Sequence, residues 1–173
     1  MFVKSFTDSA AGVGKSILWY VTFRLFPHKK FISSVSSAII EDVKNMREDR
    51  SALVAYYYFD FKDVSKRHVR GLLASLLFQL SDDSERCRDI LYQLFNSCRD
   101  GSERPGDTAL TECLRSMVQL PEQLPIFIIM DALDECPSNT GTPSARDEVL
   151  DFVENLVGSN NSNLFVCITS RPE

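Results

Sequence analysis

Histidine, positive net charge and long apolar runs are the things this chain of 173 residues has least of. Its two histidines, His28 and His68, lie far apart and beside basic residues, so a histidine-based metal or catalytic cluster is not expected. The net charge of −5 and a pI near 5.1 give no basis for nucleic-acid binding. Cys87, Cys98, Cys113, Cys136 and Cys167 are odd in number, scattered and without C-x-x-C spacing. Neither a disulfide framework nor a zinc site is implied, and a reducing interior is the simpler setting. The apolar run Ile17–Phe26 is interrupted by Arg24 and closed by Pro27, well short of the roughly 20 residues that span a bilayer. The opening Met-Phe-Val-Lys-Ser-Phe lacks the apolar core of a secretory signal. No repeat recurs at solenoid periods. The reading is a soluble, cytoplasmic protein with no membrane partner.

What is present suits one globular domain. Apolar residues make up 44% and charged residues 25%, a balance that excludes a disordered chain, and the length fits a single unit over 1–173.

The stretch Ser9-Ala10-Ala11-Gly12-Val13-Gly14-Lys15-Ser16 carries the first chemistry. It ends in the Gly-Lys-Ser of the phosphate-binding motif G-x-x-x-x-G-K-[ST], with Ser9 at the position of the first glycine. Gly12 and Gly14 let the backbone curl so that the N–H groups from Ala11 and Val13 onward point inward as an anion nest. Lys15 adds a mobile charge for the outer phosphates, and the Ser16 hydroxyl is a Mg²⁺ ligand. A helix starting near Gly14 points its positive end at the same phosphates. A bland glycine-rich turn before a helix fits these residues too. The partners downstream decide between them.

Val3–Thr7 is a short candidate strand feeding the loop, and Lys15 to about Phe26 a helix that Pro27 ends or kinks. A helical pattern resumes near Ser33 with Val35, Ile39, Ile40 and Val43 on one face. Removing Trp19–Val35 joins the flanks into one uninterrupted helix, so this segment reads as an insertion, such as a retained intron translated in frame. A genuine pair of helices accounts for the same residues.

Ala52–Phe61, rich in aromatic and β-branched residues, reads as a buried strand whose aromatics belong to the core. Helices follow over Ser65–Leu80 and Ser84–Cys98, the first striped by Val69, Leu72, Leu73, Leu76, Leu77 and Leu80. Asp100–Gly106 is a loop, Thr108–Leu120 a helix closed by Pro121, and Ile126–Met130 a buried parallel-type strand ending in Asp131. Pro137–Pro143 is a polar loop, Ala145–Val157 an amphipathic helix, and Asn163–Ile168 a last strand. Strands alternating with helices imply a three-layer α/β fold with a mostly parallel sheet.

Ligands in such sheets sit beyond the carboxyl ends of the strands. Three segments lie there: Ser9–Ser16, Asp131-Ala132-Leu133-Asp134-Glu135 and Thr169-Ser170-Arg171. An apolar strand ending in an aspartate fits the second Mg²⁺-handling element of P-loop NTPases, which gives Asp131 the metal. Glu135 is favoured to orient or deprotonate an attacking water, with Asp134 as metal or structural partner. The spacing allows the two to exchange roles. Arg171 is placed to stabilise charge on a γ-phosphate; a surface ion pair is the plainer use of it.

Asp131-Ala-Leu-Asp-Glu-Cys-Pro137, with small Ala132 directly after the aspartate, and the closing Ile168-Thr-Ser-Arg-Pro172 resemble the NACHT family of signalling STAND-type NTPases. Tyr58-Phe-Asp-Phe-Lys-Asp63 and Leu72–Leu80 are similar to its fungal, nephrocystin-3-like members. The resemblance runs from Ser9 to Glu173. It implies a three-layer P-loop NTPase fold truncated at both ends, lacking the last core strand and the winged helix. It also implies an ATP/ADP switch with Mg²⁺, nucleotide exchange coupled to assembly with other NACHT protomers, and a NOD-like receptor architecture. Full-length relatives then carry ankyrin, WD40 or TPR repeats.

The expected function is therefore a nucleotide-binding, weakly hydrolysing signalling switch. A small-molecule kinase wants an Arg-rich lid that is not legible, and a GTPase wants an Asn-Lys-x-Asp run that does not occur. The rival from another class is a non-enzymatic, truncated interaction fragment with a damaged loop.

Overall fold

A computed structural model describes Val43 and residues 45–98, 101–138, 143–158 and 163–170. The expectations for Val3–Thr7, the loop Ser9–Ser16, the helix behind it, the insertion Trp19–Val35, the middle of the Pro137–Pro143 loop and Arg171 lie outside the described residues.

Three parallel strands form the sheet in the order β1-β2-β3: β1 is Leu53–Tyr58, β2 Ile126–Asp131 and β3 Leu164–Ile168. Four helices connect them: α1 (Val69–Asp83), α2 (Glu85–Ser97), α3 (Asp107–Val118) and α4 (Ala145–Val157). Short 3₁₀ turns occupy Val64–Lys66 and Leu133–Glu135. The α/β class with a parallel sheet is as expected. It follows from strands that alternate with helices, because parallel neighbours need crossover connections.

β2 is the middle strand and explains its own composition. Ile126, Ile128 and Met130 face one side and join the main core, where α1 contributes Leu72, Leu73, Leu76, Leu77 and Leu80. Leu114 and Met117 of α3 and Val149 and Val153 of α4 pack into the same cluster. On the other side Ile129 meets Val54 and Val43, with Tyr56, Phe127 and Cys167 half-buried around them. The rings of Phe127 and Phe165 stack across β2 and β3 at 4.8 Å. A strand covered on both faces has no solvent side, so an uninterrupted apolar run is what it requires.

Among the described residues β1 is the outer strand on its side of the sheet, and its backbone is partly closed by a side chain. Tyr56 N–H donates to Gln79 Oε1 at 2.9 Å, and Gln79 Nε2 donates to Tyr56 O at 2.7 Å. The amide of Gln79 thus imitates a neighbouring strand at one residue, which blunts an edge open to pairing.

The ends of elements differ from expectation for local reasons. β1 stops at Tyr58 rather than Phe61 because Asp60 turns the chain, accepting Lys62 N–H at 2.8 Å on its side chain and Asp63 N–H at 3.1 Å on its carbonyl. α1 starts at Val69 rather than near Ser65 and has no side-chain N-cap bond; its leucines hold it through packing rather than capping. It runs on to Asp83, and Ser84 alone separates it from α2, whose first turn it caps by accepting Cys87 N–H at 3.4 Å. α4 matches its expected span. Ser144 and Asp147 form a full capping box at its start.

Leu76 is fully buried between α1 and the sheet, whereas Phe78, two residues on and on the other face of the helix, is 68% exposed. Leu76→Ala is expected to cost about 2–5 kcal/mol in urea unfolding. Phe78→Ala should stay within about 0.5 kcal/mol.

Candidate functional site

The register brings the carboxyl ends of the three strands together: Tyr58 pairs with Asp131, and Met130 with Ile168. Asp131 therefore sits beside Thr169, the first residue after β3. The Thr169 hydroxyl donates to Asp131 Oδ1 and accepts the Ala132 N–H at 3.2 Å. Main-chain bonds lock the same corner. Phe59 N–H donates to Asp131 O at 3.1 Å, Thr169 N–H to Met130 O at 2.9 Å, and Leu133 N–H to Thr169 O at 3.0 Å. The aspartate at the middle strand's end is thus held from both neighbouring strands.

Ala132 then turns the chain through a left-handed conformation, φ 60° and ψ 46°. That region costs a residue with a Cβ roughly 1–2 kcal/mol and is a true outlier for a branched side chain. A residue without a branched side chain suits the position. The chain enters the 3₁₀ turn Leu133–Glu135, with Leu133 buried and Asp134 and Glu135 half-buried. Glu135 Oε2 accepts the Phe61 N–H at 3.4 Å, which ties the turn to the segment after β1. The Cys136 thiol donates to Arg67 O at 3.3 Å from beneath. Arg146 of α4 donates from Nη2 to Asp134 O at 3.0 Å and from Nε to Cys136 O at 3.3 Å.

Of the expected site residues, Asp131, Asp134 and Glu135 come together at this end of the sheet. Ser9, Ala11, Gly12, Val13, Gly14, Lys15, Ser16 and Arg171 lie outside the described residues. Arg146 was not foreseen, and Thr169 was named only as part of the strand-end segment Thr169-Ser170-Arg171, without a role of its own. Thr169 had a signal, a polar residue immediately after a strand that pairs with the Asp131 strand. Arg146 had a subtler one, a cation in a helix's first turn, where charge of the opposite sign is usual.

The electrostatics follow burial. The Cys167 thiol is pushed up to about 11, first by burial and then by the nearby Asp131 carboxylate. Burial likewise pushes Cys136 up to about 11, opposed by the Arg146 charge, and Cys113 up to about 11. Tyr57, packed edge-on against Phe59 at 5.0 Å, rises to about 12 through burial and the charge of Asp63. None of these thiols is a nucleophile at neutral pH.

Among the described residues no group of three or more His, Cys, Asp or Glu side chains is arranged to hold a metal ion. A closed protein cage is therefore not built here. One half-buried carboxylate with a hydroxyl beside it does fit Mg²⁺, which takes one or two carboxylates and completes its shell with water and phosphate oxygens. A cleft of about 860 Å³ lies elsewhere, near the opposite end of β1, lined by Ala52, Leu53, Arg88 and the Arg47–Asp83 ion pair at 2.9 Å. The strand carboxyl ends, with their converging acids, are the better-founded site.

The fold and this corner define an α/β domain with an acidic turn at the end of its middle parallel strand. The model of the Nephrocystin 3, N-terminal family matches residues 32–171. The chain belongs to that family. The match covers every described element and begins after the loop Ser9–Ser16. No curated protein matches the chain.

Two outcomes follow from this corner. Thr169→Val removes the donor to Asp131 and the acceptor for Ala132, and should cost about 1–3 kcal/mol in urea unfolding; Thr169→Ser, which keeps the hydroxyl, should restore most of it. The raised thiols set an alkaline limit. A thiol whose folded pKa lies above its ordinary value near 9 favours the folded state while protonated. Its contribution is complete below that value and is lost as pH rises through about 11. Unfolding followed from pH 8 to pH 11 should show stability falling across that window. A flat profile there contradicts it.

Proposed function

We propose that this chain is the nucleotide-binding part of a NACHT-type signalling switch that binds Mg·ATP and Mg·ADP and hydrolyses slowly. One observation carries the reading: the half-buried Asp131 carboxylate at the carboxyl end of the middle parallel strand, fixed by Thr169 and followed at once by the Asp134–Glu135 turn. This is where a P-loop NTPase needs its metal acid and its water-orienting acid. The family match supports a nephrocystin-3-like N-terminal region; the nucleotide-binding class rests on the motifs and on this corner.

In this reading the backbone of Ser9–Gly14 and the Lys15 ammonium bind the phosphates. Ser16 and Asp131 would hold Mg²⁺, which would supply neutralisation of the phosphate charge. Glu135 orients or deprotonates water with Asp134 in support, and Arg171 answers to the γ-phosphate. Exchange of nucleotide would change self-association with other protomers, in the cytoplasm. A P-loop NTPase fold of three layers belongs to the same proposal.

A non-enzymatic interaction fragment is the second reading. It is favoured by Tyr58, Phe61 and Val64, which are 58%, 55% and 64% exposed at the end of β1 and on the segment after it. Nucleotide titration separates the two. A ligand at 100 times its Kd stabilises the native state by about 2.7 kcal/mol, so Mg·ATP and Mg·ADP should raise the melting temperature of the folded chain. Lys15→Ala should abolish the shift, and Asp131→Asn should remove its dependence on Mg²⁺. A folded chain that ignores both nucleotides leaves the interaction reading standing and ends the switch.

A further inference from the structure

The first turn of α4 carries Arg146 at its second helical position, between the N-cap Ser144 and the capping-box Asp147. A cation there opposes the helix dipole, whose positive end is the N-terminus. Helix stability gives no reason for an arginine at this place. Its contacts do.

The guanidinium donates to Asp134 O at 3.0 Å and to Cys136 O at 3.3 Å, and the Arg146 main-chain N–H donates to Pro137 O at 3.2 Å. These acceptors lie in and just after the acidic turn. The turn has little structure of its own. It is one 3₁₀ turn entered through left-handed Ala132 and closed by Glu135 N–H to Ala132 O at 2.9 Å and Cys136 N–H to Leu133 O at 3.0 Å. So short a piece does not persist unaided. Its upstream limb hangs from β3 through Leu133 N–H and Thr169 O. Its downstream limb, which bears Asp134 and Glu135, meets the first turn of α4 through Arg146.

We propose that Arg146 is the positioning residue of the acidic turn, setting where the Asp134 and Glu135 carboxylates stand relative to Asp131. A planar fork of donors spans two carbonyls at once, whereas a lysine ammonium is a point donor on a flexible stem. The capping box makes α4 a firm anchor, since the Ser144 hydroxyl and N–H both donate to Asp147 Oδ2, at 2.8 Å and 3.0 Å. The consequence for catalysis rests on the reading of Glu135 as the residue that orients water. On that reading Arg146 acts on turnover through Glu135 and leaves nucleotide affinity alone.

Amide exchange followed by NMR on the full chain tests the positioning without nucleotide. In Arg146→Met the Glu135 and Cys136 amides should exchange faster by on the order of tenfold, while Ile128 and Met130 in β2 keep their rates. Arg146→Lys should fall between. Wild-type exchange at Glu135 and Cys136 in either folded variant overturns the proposal, and Arg146→Lys is read alone should Arg146→Met fail to fold. Hydrolysis supplies a second arm. Arg146→Met should lower kcat by on the order of tenfold with nucleotide Kd within about twofold, and should add nothing to Glu135→Gln. Additive losses in the double variant count against a role through Glu135. Should the wild-type chain bind no nucleotide, the switch reading falls, and the exchange arm still decides the role of Arg146.

Discussion

Burial of β2 on both faces is the constraint on which the rest of the structure depends. Ile126, Ile128 and Met130 must meet the leucines of α1, while Ile129 must meet Val54 and Val43. No charge is tolerable along such a strand without a partner. The first position where a carboxylate becomes affordable is the end, and Asp131 stands there, half-buried and hydrogen-bonded by Thr169. The apolar run and the acid that ends it are thus one fact seen twice. The sheet excludes water and charge, and so presents the charge at a defined point.

The turn that follows shows how that point is stiffened. Ala132 in a left-handed conformation is a local cost, and it persists because the surroundings over-determine it. β3 holds the entry through Thr169, the segment after β1 reaches Glu135 through the Phe61 N–H, and α4 holds the exit through Arg146. Each tether comes from a different part of the chain. A three-residue turn is thereby given the rigidity of the three elements around it, which is what a site needs if its carboxylates are to keep their distances.

Much of this was legible in the residues. The continuous run Ile126–Met130 announced a strand covered on both sides, and the stripe Leu72, Leu73, Leu76, Leu77 and Leu80 announced the helix that covers it. α4 was legible to its last residue because Ser144 and Asp147 mark its start by a local rule. The end of β1 was less so. Asp60 inside Ala52–Phe61 is a turn residue, but it sits between Phe59 and Phe61 in an aromatic run, and the turn shows only when its carboxylate captures Lys62 N–H. Part of the site was harder to see. Asp131, Asp134 and Glu135 are chemical in type and close enough in sequence to be noticed, whereas Thr169 matters through register and a carboxylate 38 residues away, and Arg146 through carbonyls 10 and 12 residues away.

Among the described residues the corner has few ligands to offer, which bears on its chemistry. Asp131 and Thr169 offer one carboxylate and one hydroxyl already committed to that carboxylate. A small divalent ion takes about six oxygens, so under the proposed reading these two residues would leave most of the shell to other groups, phosphates and water among them. Under the proposed reading that dependence is useful, because metal and nucleotide are then bound together or not at all. A protein cage of three or four acids would hold the ion in both nucleotide states and blunt any difference between them. A single, firmly oriented acid at the end of an apolar strand leaves the discrimination to the ligand's own phosphates, which is the property a nucleotide switch requires.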